Sequence, residues 1–332
     1  MRVIPAPSSI AERNPIGTHV IVGKGLVAGA LANADEVGCE TIQVFTGNPR
    51  GWAHSAGKPA DDRAFRAECE RRGMRTFIHS PYLVNLGSPT ALTYERSVGI
   101  VAHNLRRAAQ IGAEGVVVHT GSYVSVGDSE ARYAAALRQV REGLLPILDA
   151  IADEAAPWLL LEPTAGQGRS LCAGVDDLEP YLEALDFHPK AGICLDTCHA
   201  FAAGVPLDEP GGATAAVDRI VEIGGPGRLR LVHANDSMDV RGAHLDRHQQ
   251  IGRGHIGEDP FRELFAHPEL AGVPFILETP GSRDADSTDF PTLRRLRDEA
   301  AAGLDSARPS DSARPADAAR PADSARRAGT SA

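Results

Sequence analysis

The sequence predicts an α/β chain folded as a (β/α)8 TIM barrel, with a metal site at the C-terminal ends of the strands. Two observations carry the fold. Through the first 302 residues, short β-branched or apolar runs alternate with Ala-, Leu-, Arg- and Glu-rich stretches of helical period. The runs number eight, and their starts lie about 24 to 45 residues apart, which leaves room each time for a strand, a loop and a helix. The runs are 17–22, 41–45, 76–79, 115–119, 158–162, 192–196, 229–233 and 274–278. The clearest helical connectors are 61–72, 94–111, 129–152 and 214–223. A doubly wound open sheet is the rival, but no G-x-G-x-x-G follows directly on a strand to support it.

Composition narrows the class. Of the 332 residues, 42% are apolar and 23% charged, ordinary globular usage. No apolar run reaches about 18 residues, so no membrane span is expected. The opening Met1-Arg2-Val3-Ile4-Pro5 has no apolar signal region. Five scattered cysteines make no disulfide framework, and a reducing, cytoplasmic setting is expected. The net charge of −10 argues against nucleic-acid binding by bulk electrostatics. Carboxylates that hold metal would soften that objection: three divalent ions would bring −10 to about −4.

Residues 303–332 are a different material, a hexapeptide repeat of the form Asp-Ser-Ala-Arg-Pro-Ala. It carries almost no large apolar side chain and cannot offset its ordering entropy, so a disordered tail is expected after a barrel domain of residues 1–302. It reads as a solubilising extension, or as an electrostatic tether for a polyanion through Arg308, Arg314, Arg320, Arg326 and Arg327.

The chemistry sits where the strands end. The third to eighth runs close in turn on His79, His119, Glu162, Asp196, His233 and Glu278. One such residue is ordinary; six in succession converge on one rim of a barrel. Carboxylates and imidazoles packed into a desolvated pocket are costly without a cation, and His with Asp and Glu suits zinc or manganese better than calcium. His199 follows Asp196 by three positions, and Asp246-Arg-His248 places two donors on one side of the loop after the seventh strand. Nine candidates exceed one ion or a pair; with bridging carboxylates they suit three. Cys194 and Cys198 invite a thiolate reading, but Cys194 shares the face of Asp196 one layer deeper and reads as packing. No G-x-S-x-G elbow supports a serine hydrolase.

These residues resemble the endonuclease IV family of zinc-dependent apurinic/apyrimidinic (AP) endonucleases. The resemblance covers roughly residues 16–300. It is carried by Glu162-Pro-Thr-Ala-Gly-Gln-Gly168, Cys194-Leu-Asp-Thr-Cys-His-Ala-Phe-Ala-Ala-Gly204, His233-Ala-Asn-Asp-Ser237 and Asp246-Arg-His-Gln-Gln-Ile-Gly-Arg-Gly-His-Ile-Gly257. It implies three Zn2+ ions. His79, His119 and Glu162 would serve the first. Glu162 would bridge to a second, held also by Asp196, His233 and Glu278. His199, Asp246 and His248 would hold the third. Glu162 and Glu278 would be the catalytic carboxylates.

The resemblance further implies hydrolysis, by zinc-bound hydroxide, of the phosphodiester 5′ to abasic sites in double-stranded DNA. The products would be a 3′-hydroxyl and a 5′-deoxyribose phosphate, with 3′-end cleaning as a second activity and a monomeric enzyme. Arg50, Tyr82 and Leu83 match the positions that the family inserts into DNA at the lesion, and Asn48 is a further contact candidate. Wedging a side chain into a gap in the stack costs less than at an intact step. The chain departs from the family at Pro163, Thr120 and Ala234, none of them a ligand position. A sugar isomerase would explain Glu162, Asp196, His233 and Glu278 but leaves the remaining histidines and Asp246 without a task. An idle lesion binder would leave the complete donor set unused.

Overall fold

The computed structural model describes residues 14–123, 129–151, 153 and 155–307. Eight parallel strands close into a barrel: β1 (Ile16–His19), β2 (Thr41–Val44), β3 (Arg75–His79), β4 (Gly115–His119), β5 (Trp158–Glu162), β6 (Ala191–Asp196), β7 (Leu229–His233) and, after a two-stranded ribbon of β8 (Asp236–Ser237) and β9 (His248–Gln249), β10 (Phe275–Leu277). The ring runs β1-β10-β7-β6-β5-β4-β3-β2. All eight expected strands form. The first is shorter than expected and stops at His19. Although Val20-Ile21-Val22 is β-branched, Ile21 already faces solvent, and its amide is taken by the Asn33 side chain.

The period of two inside the barrel builds the site. Phe77, Val117, Leu160, Cys194, Leu231 and Ile276 form one buried layer within the barrel. Because side chains alternate faces along a strand, the inward residue two positions on is His79, His119, Glu162, Asp196, His233 or Glu278. Cys194 is therefore core, one layer below Asp196. The opposite mouth is plugged by Trp158, whose ring carries the Arg230 guanidinium 3.8 Å from its centroid.

Around the barrel lie α1 (Ala32–Val37), entered through a π-helical turn at Leu26–Leu31, then α2 (Pro59–Arg72), α3 (Ala91–Ile111), α4 (Ser129–Ala150), α5 (Leu178–Ala184), α6 (Thr197–Ala202), α7 (Gly212–Gly224), α8 (Asp259–Ala266) and α9 (Asp289–Ala307). The four expected connectors appear as α2, α3, α4 and α7, each within a few residues of its expected bounds. Helices α2 and α3 stop at Gly73 and Gly112, whose φ of 65° and 74° strains any residue with a Cβ. The last helix, α9, continues through Ala307 and so takes in 303–307, which the sequence assigns to the tail. Alanine-rich sequence continues a helix at little cost once its first turns are packed. The rest of that segment, 308–332, lies outside the described residues.

Candidate metal centre

The nine expected donors converge at the C-terminal mouth. Glu162, fully buried, divides its two oxygens. Oε2 lies 3.2 Å from His79 Nε2 and 3.3 Å from His119 Nε2. Oε1 lies 2.9 Å from His233 Nδ1 and 3.4 Å from His199 Nδ1. His233 Nδ1 also faces Glu278 Oε2 at 3.4 Å and Asp196 Oδ2 at 3.8 Å. On the far side Asp246 stands between His199 Nε2 (3.3 Å) and His248 Nε2 (3.0 Å). The donor atoms fall into groups within 4.8 Å of one another: His79, His119 and Glu162; Glu162, Asp196, His233 and Glu278; Asp196, His199 and His248. The Cys198 thiol also falls within reach of Asp246 and His248. Burial raises its pKa, as it raises that of Cys194 to about 12, and the Cys198 thiol donates to Arg247 O at 3.7 Å.

The hydrogen bonds of the imidazoles test whether this set suits a cation. His79, His199 and His248 each donate Nδ1–H to a backbone carbonyl, of Ser80 (2.6 Å), Pro163 (3.1 Å) and Glu278 (3.3 Å). A carbonyl only accepts, so each Nδ1 keeps its proton, and Nε2 is the nitrogen turned to the centre that would bring a lone pair to an ion. His233 is reversed: Nε2 meets Gln43 Oε1 at 2.9 Å and Nδ1 faces the carboxylates. Outer N–H groups anchored in this way are the habit of metal-ligating histidines. His248 Nε2 is buried without a hydrogen-bond partner although two carboxylates stand near it, the arrangement of donors sharing an ion rather than a proton. The residues fit divalent cations.

The electrostatics follow from crowding. Burial opposes the charge on Glu162, but His233 and His119 outweigh it and hold the carboxyl well below its usual range. Burial likewise opposes charge on Glu278, and His233 and His19 outweigh it. His199 and His248 are pushed down by burial but carried up to about 10 and about 9, chiefly by Asp196 and then Asp246. Asp246 is in turn held low by those two imidazoles against the effect of burial.

Local structure explains each placement. Asp196 caps α6, accepting the His199 amide at 2.9 Å, which turns the His199 side chain back toward the strand ends. Asn235 Nδ2 holds the other Asp196 oxygen at 2.8 Å. His248 is set by the ribbon, where it pairs with Ser237. The ribbon and the loop after it are tied to Asp236, a fully buried carboxylate that accepts five backbone amides. Ser237 and Ile256 reach Oδ1, both at 2.8 Å, and Gly252, Gly254 and Gly257 reach Oδ2 at 2.9, 3.0 and 3.3 Å. Gly252-Arg-Gly254-His-Ile-Gly257 is thus a glycine nest filled by the protein's own carboxylate.

A family model described as a xylose isomerase-like TIM barrel matches residues 31–307. The probable endonuclease 4 of Streptomyces coelicolor is 54% identical over 291 residues, spanning 88% of this chain and 98% of that protein. The chain belongs to the endonuclease IV family. Endonuclease 4 of Thermus thermophilus is 39% identical over 287 residues, spanning 86% and 98% of the two chains. A crystal structure of endonuclease IV from Thermus thermophilus superposes with a TM-score of 0.73 at 35% identity, covering 86% of this chain and 99% of that one. A D-tagatose 3-epimerase-like protein superposes at 0.63 with 18% identity, a likeness of fold alone.

Of the three lesion-contact candidates, Tyr82 and Leu83 line the mouth of the centre. Tyr82 is half exposed (52%), packs edge-on against Phe45 at 5.4 Å, and lines a cavity of about 550 Å3 over His119, His199 and Glu278. Leu83 follows it at the surface, and the Tyr82 amide is bound to Pro49 O at 3.0 Å, which ties it to the exposed loop of Arg50. Asn48 caps its own turn by accepting the Arg50 amide. Of the departures, Pro163 contributes the carbonyl that anchors His199, and Thr120 and Ala234 are fully buried just past His119 and His233. His19 and Gln43, fully buried beside Glu278, escaped the sequence reading, as did Asn235, Asp236 and Arg283. The signal was present in strand two, where a glutamine interrupts the run Thr41-Ile-Gln-Val-Phe45.

Proposed function

We propose that the chain incises DNA at abasic sites through a trinuclear zinc centre held by His79, His119, Glu162, Asp196, His199, His233, Asp246, His248 and Glu278. The protein is an endonuclease of DNA repair, a hydrolase of phosphodiester bonds. The observation that carries the zinc reading is the imidazole set. Four rings are pinned outward by their N–H groups and turn lone pairs onto carboxylates grouped about three points.

When bound, the ions supply Lewis acidity that activates water and neutralises charge at phosphorus. The chain's own residues do the rest. Glu162, with Oε2 toward His79 and His119 and Oε1 toward His233 and His199, would serve both of the first two ions. Glu278, whose Oε2 is turned to His233 Nδ1, would help to hold the second. Arg50, Tyr82 and Leu83 enter the gap left by the missing base, and the 550 Å3 cavity receives the extruded deoxyribose phosphate. Water adds to phosphorus, the P–O3′ bond breaks and the proton passes to the 3′ oxygen. The products are a 3′-hydroxyl and a 5′-deoxyribose phosphate, and the same chemistry clears blocked 3′ ends. Such an enzyme works as a monomer in the cytoplasm on nucleoid DNA. No helix among the described residues is long and apolar enough to cross a membrane.

The test is one incubation of metal-analysed protein with a duplex carrying a single abasic site, without added magnesium. Cleavage 5′ to the lesion with about three zincs per chain is expected. H199A and D246A should each lower incision at least about 100-fold with the fold intact. Near-normal incision by both, or one or two manganese ions in a protein that leaves the duplex intact, would overturn the reading.

A further inference from the structure

Three of the imidazoles are oriented by main-chain carbonyls, which no substitution removes. A fourth of the five, His233, is oriented by a side chain. Gln43 lies on β2, one of the two strands whose tips supply none of the nine donors, and it is fully buried. Its Nε2 is 2.7 Å from Glu278 Oε1 and 3.1 Å from His19 Nδ1, and its Oε1 is 2.9 Å from His233 Nε2. These contacts fix the amide without ambiguity. A carboxylate only accepts, so the atom facing Glu278 is the NH2 group, and the atom facing His233 is the carbonyl. The carbonyl only accepts, so His233 keeps a proton on Nε2, and the proton that Nδ1 shares with Glu162 Oε1 at 2.9 Å is the one an ion would displace. Nδ1 is thereby the atom available to an ion.

The same amide decides the second ligand. Glu278 Oε1 is engaged by Gln43 and approached by His19 Nδ1 at 3.2 Å, while Oε2 is the oxygen turned to His233 Nδ1 and the centre. Gln43 therefore acts on two donors of one ion and on none of the donors of the other two, Glu162 and Asp196 being held elsewhere. We propose that Gln43 is the positioning residue of the second metal position: its amide selects the Nδ1-ligating tautomer of His233 and presents a single oxygen of Glu278. This rests on the metal reading above, not on the identity of the DNA substrate.

Two variants and two readouts test it. In Q43L both contacts go. Chelator competition with zinc alone should show one of the three ions bound about 10- to 100-fold more weakly and the other two unchanged. In proton NMR of the zinc-loaded protein, the His233 Nε2–H signal should be downfield and protected in the wild type. In Q43L it should move upfield or exchange, while the Nδ1–H signals of His79, His199 and His248 stay in place. Q43E keeps an acceptor for His233 but sets like charge against Glu278. It should retain the His233 signal and still weaken the one ion. Unchanged zinc affinity at all three positions in Q43L would overturn the proposal. So would equal weakening of all three, which is what mere loss of packing would do. A wild type that holds three zincs but leaves abasic DNA intact would refute the proposed function and leave this assignment standing.

Discussion

Replacing Asp236 by asparagine changes one oxygen to an NH2 group inside a cage of five backbone donors, with almost no change of volume. The new amide has two orientations. Placing NH2 at the Oδ2 position sets it against Gly252, Gly254 and Gly257; placing it at Oδ1 sets it against Ser237 and Ile256. The second is the cheaper, and it leaves two buried N–H groups facing a donor. At about 1–3 kcal/mol for each buried donor left without an acceptor, the cost is about 2–6 kcal/mol. The cage closes the loop behind β9, so the damage should be local before it is global. Hydrogen exchange at Gly252, Gly254 and Ile256 should accelerate by the matching factor, about 30-fold or more. The ion assigned to His199, Asp246 and His248 should be the one that weakens. G254A is a companion, because a Cβ there would stand 2.3 Å from Ser237 O and 2.4 Å from Asp236 Oδ1. If D236N leaves exchange at those amides and the thermal midpoint unchanged, the carboxylate is not the anchor of this loop.

Three further outcomes are expected. In chelator-stripped protein, His199 and His248 are driven down by burial but raised overall, to about 10 and about 9, chiefly by Asp196 and Asp246. Their contribution to the stability of that form is complete below the unfolded value of 6.5 and is lost as pH rises through the folded values. Over the same window the two imidazoles deprotonate and zinc binding strengthens, so the gap in melting temperature between zinc-loaded and stripped protein should widen from about pH 6.5 to 9; a constant gap by calorimetry would contradict these assignments. Y82A should weaken binding to an abasic duplex by about 1–3 kcal/mol and leave binding to an intact duplex unchanged, read by fluorescence anisotropy with zinc content held equal. R107A breaks a buried pair with Asp62, at 2.6 and 2.8 Å, and leaves that carboxylate without its partner; urea unfolding should report a loss of about 3–5 kcal/mol, and a loss below about 1 would show the pair to be dispensable.

Much of this protein was readable along the chain because two periodicities coincide. A strand buried inside a barrel must be apolar, and its inward residues recur every second position. A His, Glu or Asp that follows an apolar run therefore declares both the end of the strand and the direction of its own side chain. That is why β3 to β7 and β10 could be drawn with their candidate donors attached. Asp246 and His248 were legible from their spacing alone, although the loop that carries them follows no period.

Gln43, His19 and Asp236 were decided by the tertiary structure. Gln43 lies 190 residues from His233 and 235 from Glu278, and only barrel closure through β1 and β10 brings β2 within hydrogen-bond reach of both. Asp236 reads as one more carboxylate near a cluster of carboxylates, yet it binds backbone amides and belongs to the loop. The type and spacing of side chains specify which atoms can hold a cation. Which nitrogen of an imidazole faces inward, and which carboxylate is a ligand rather than a strut, depends on the partner of its other end. Those partners meet only when the barrel closes.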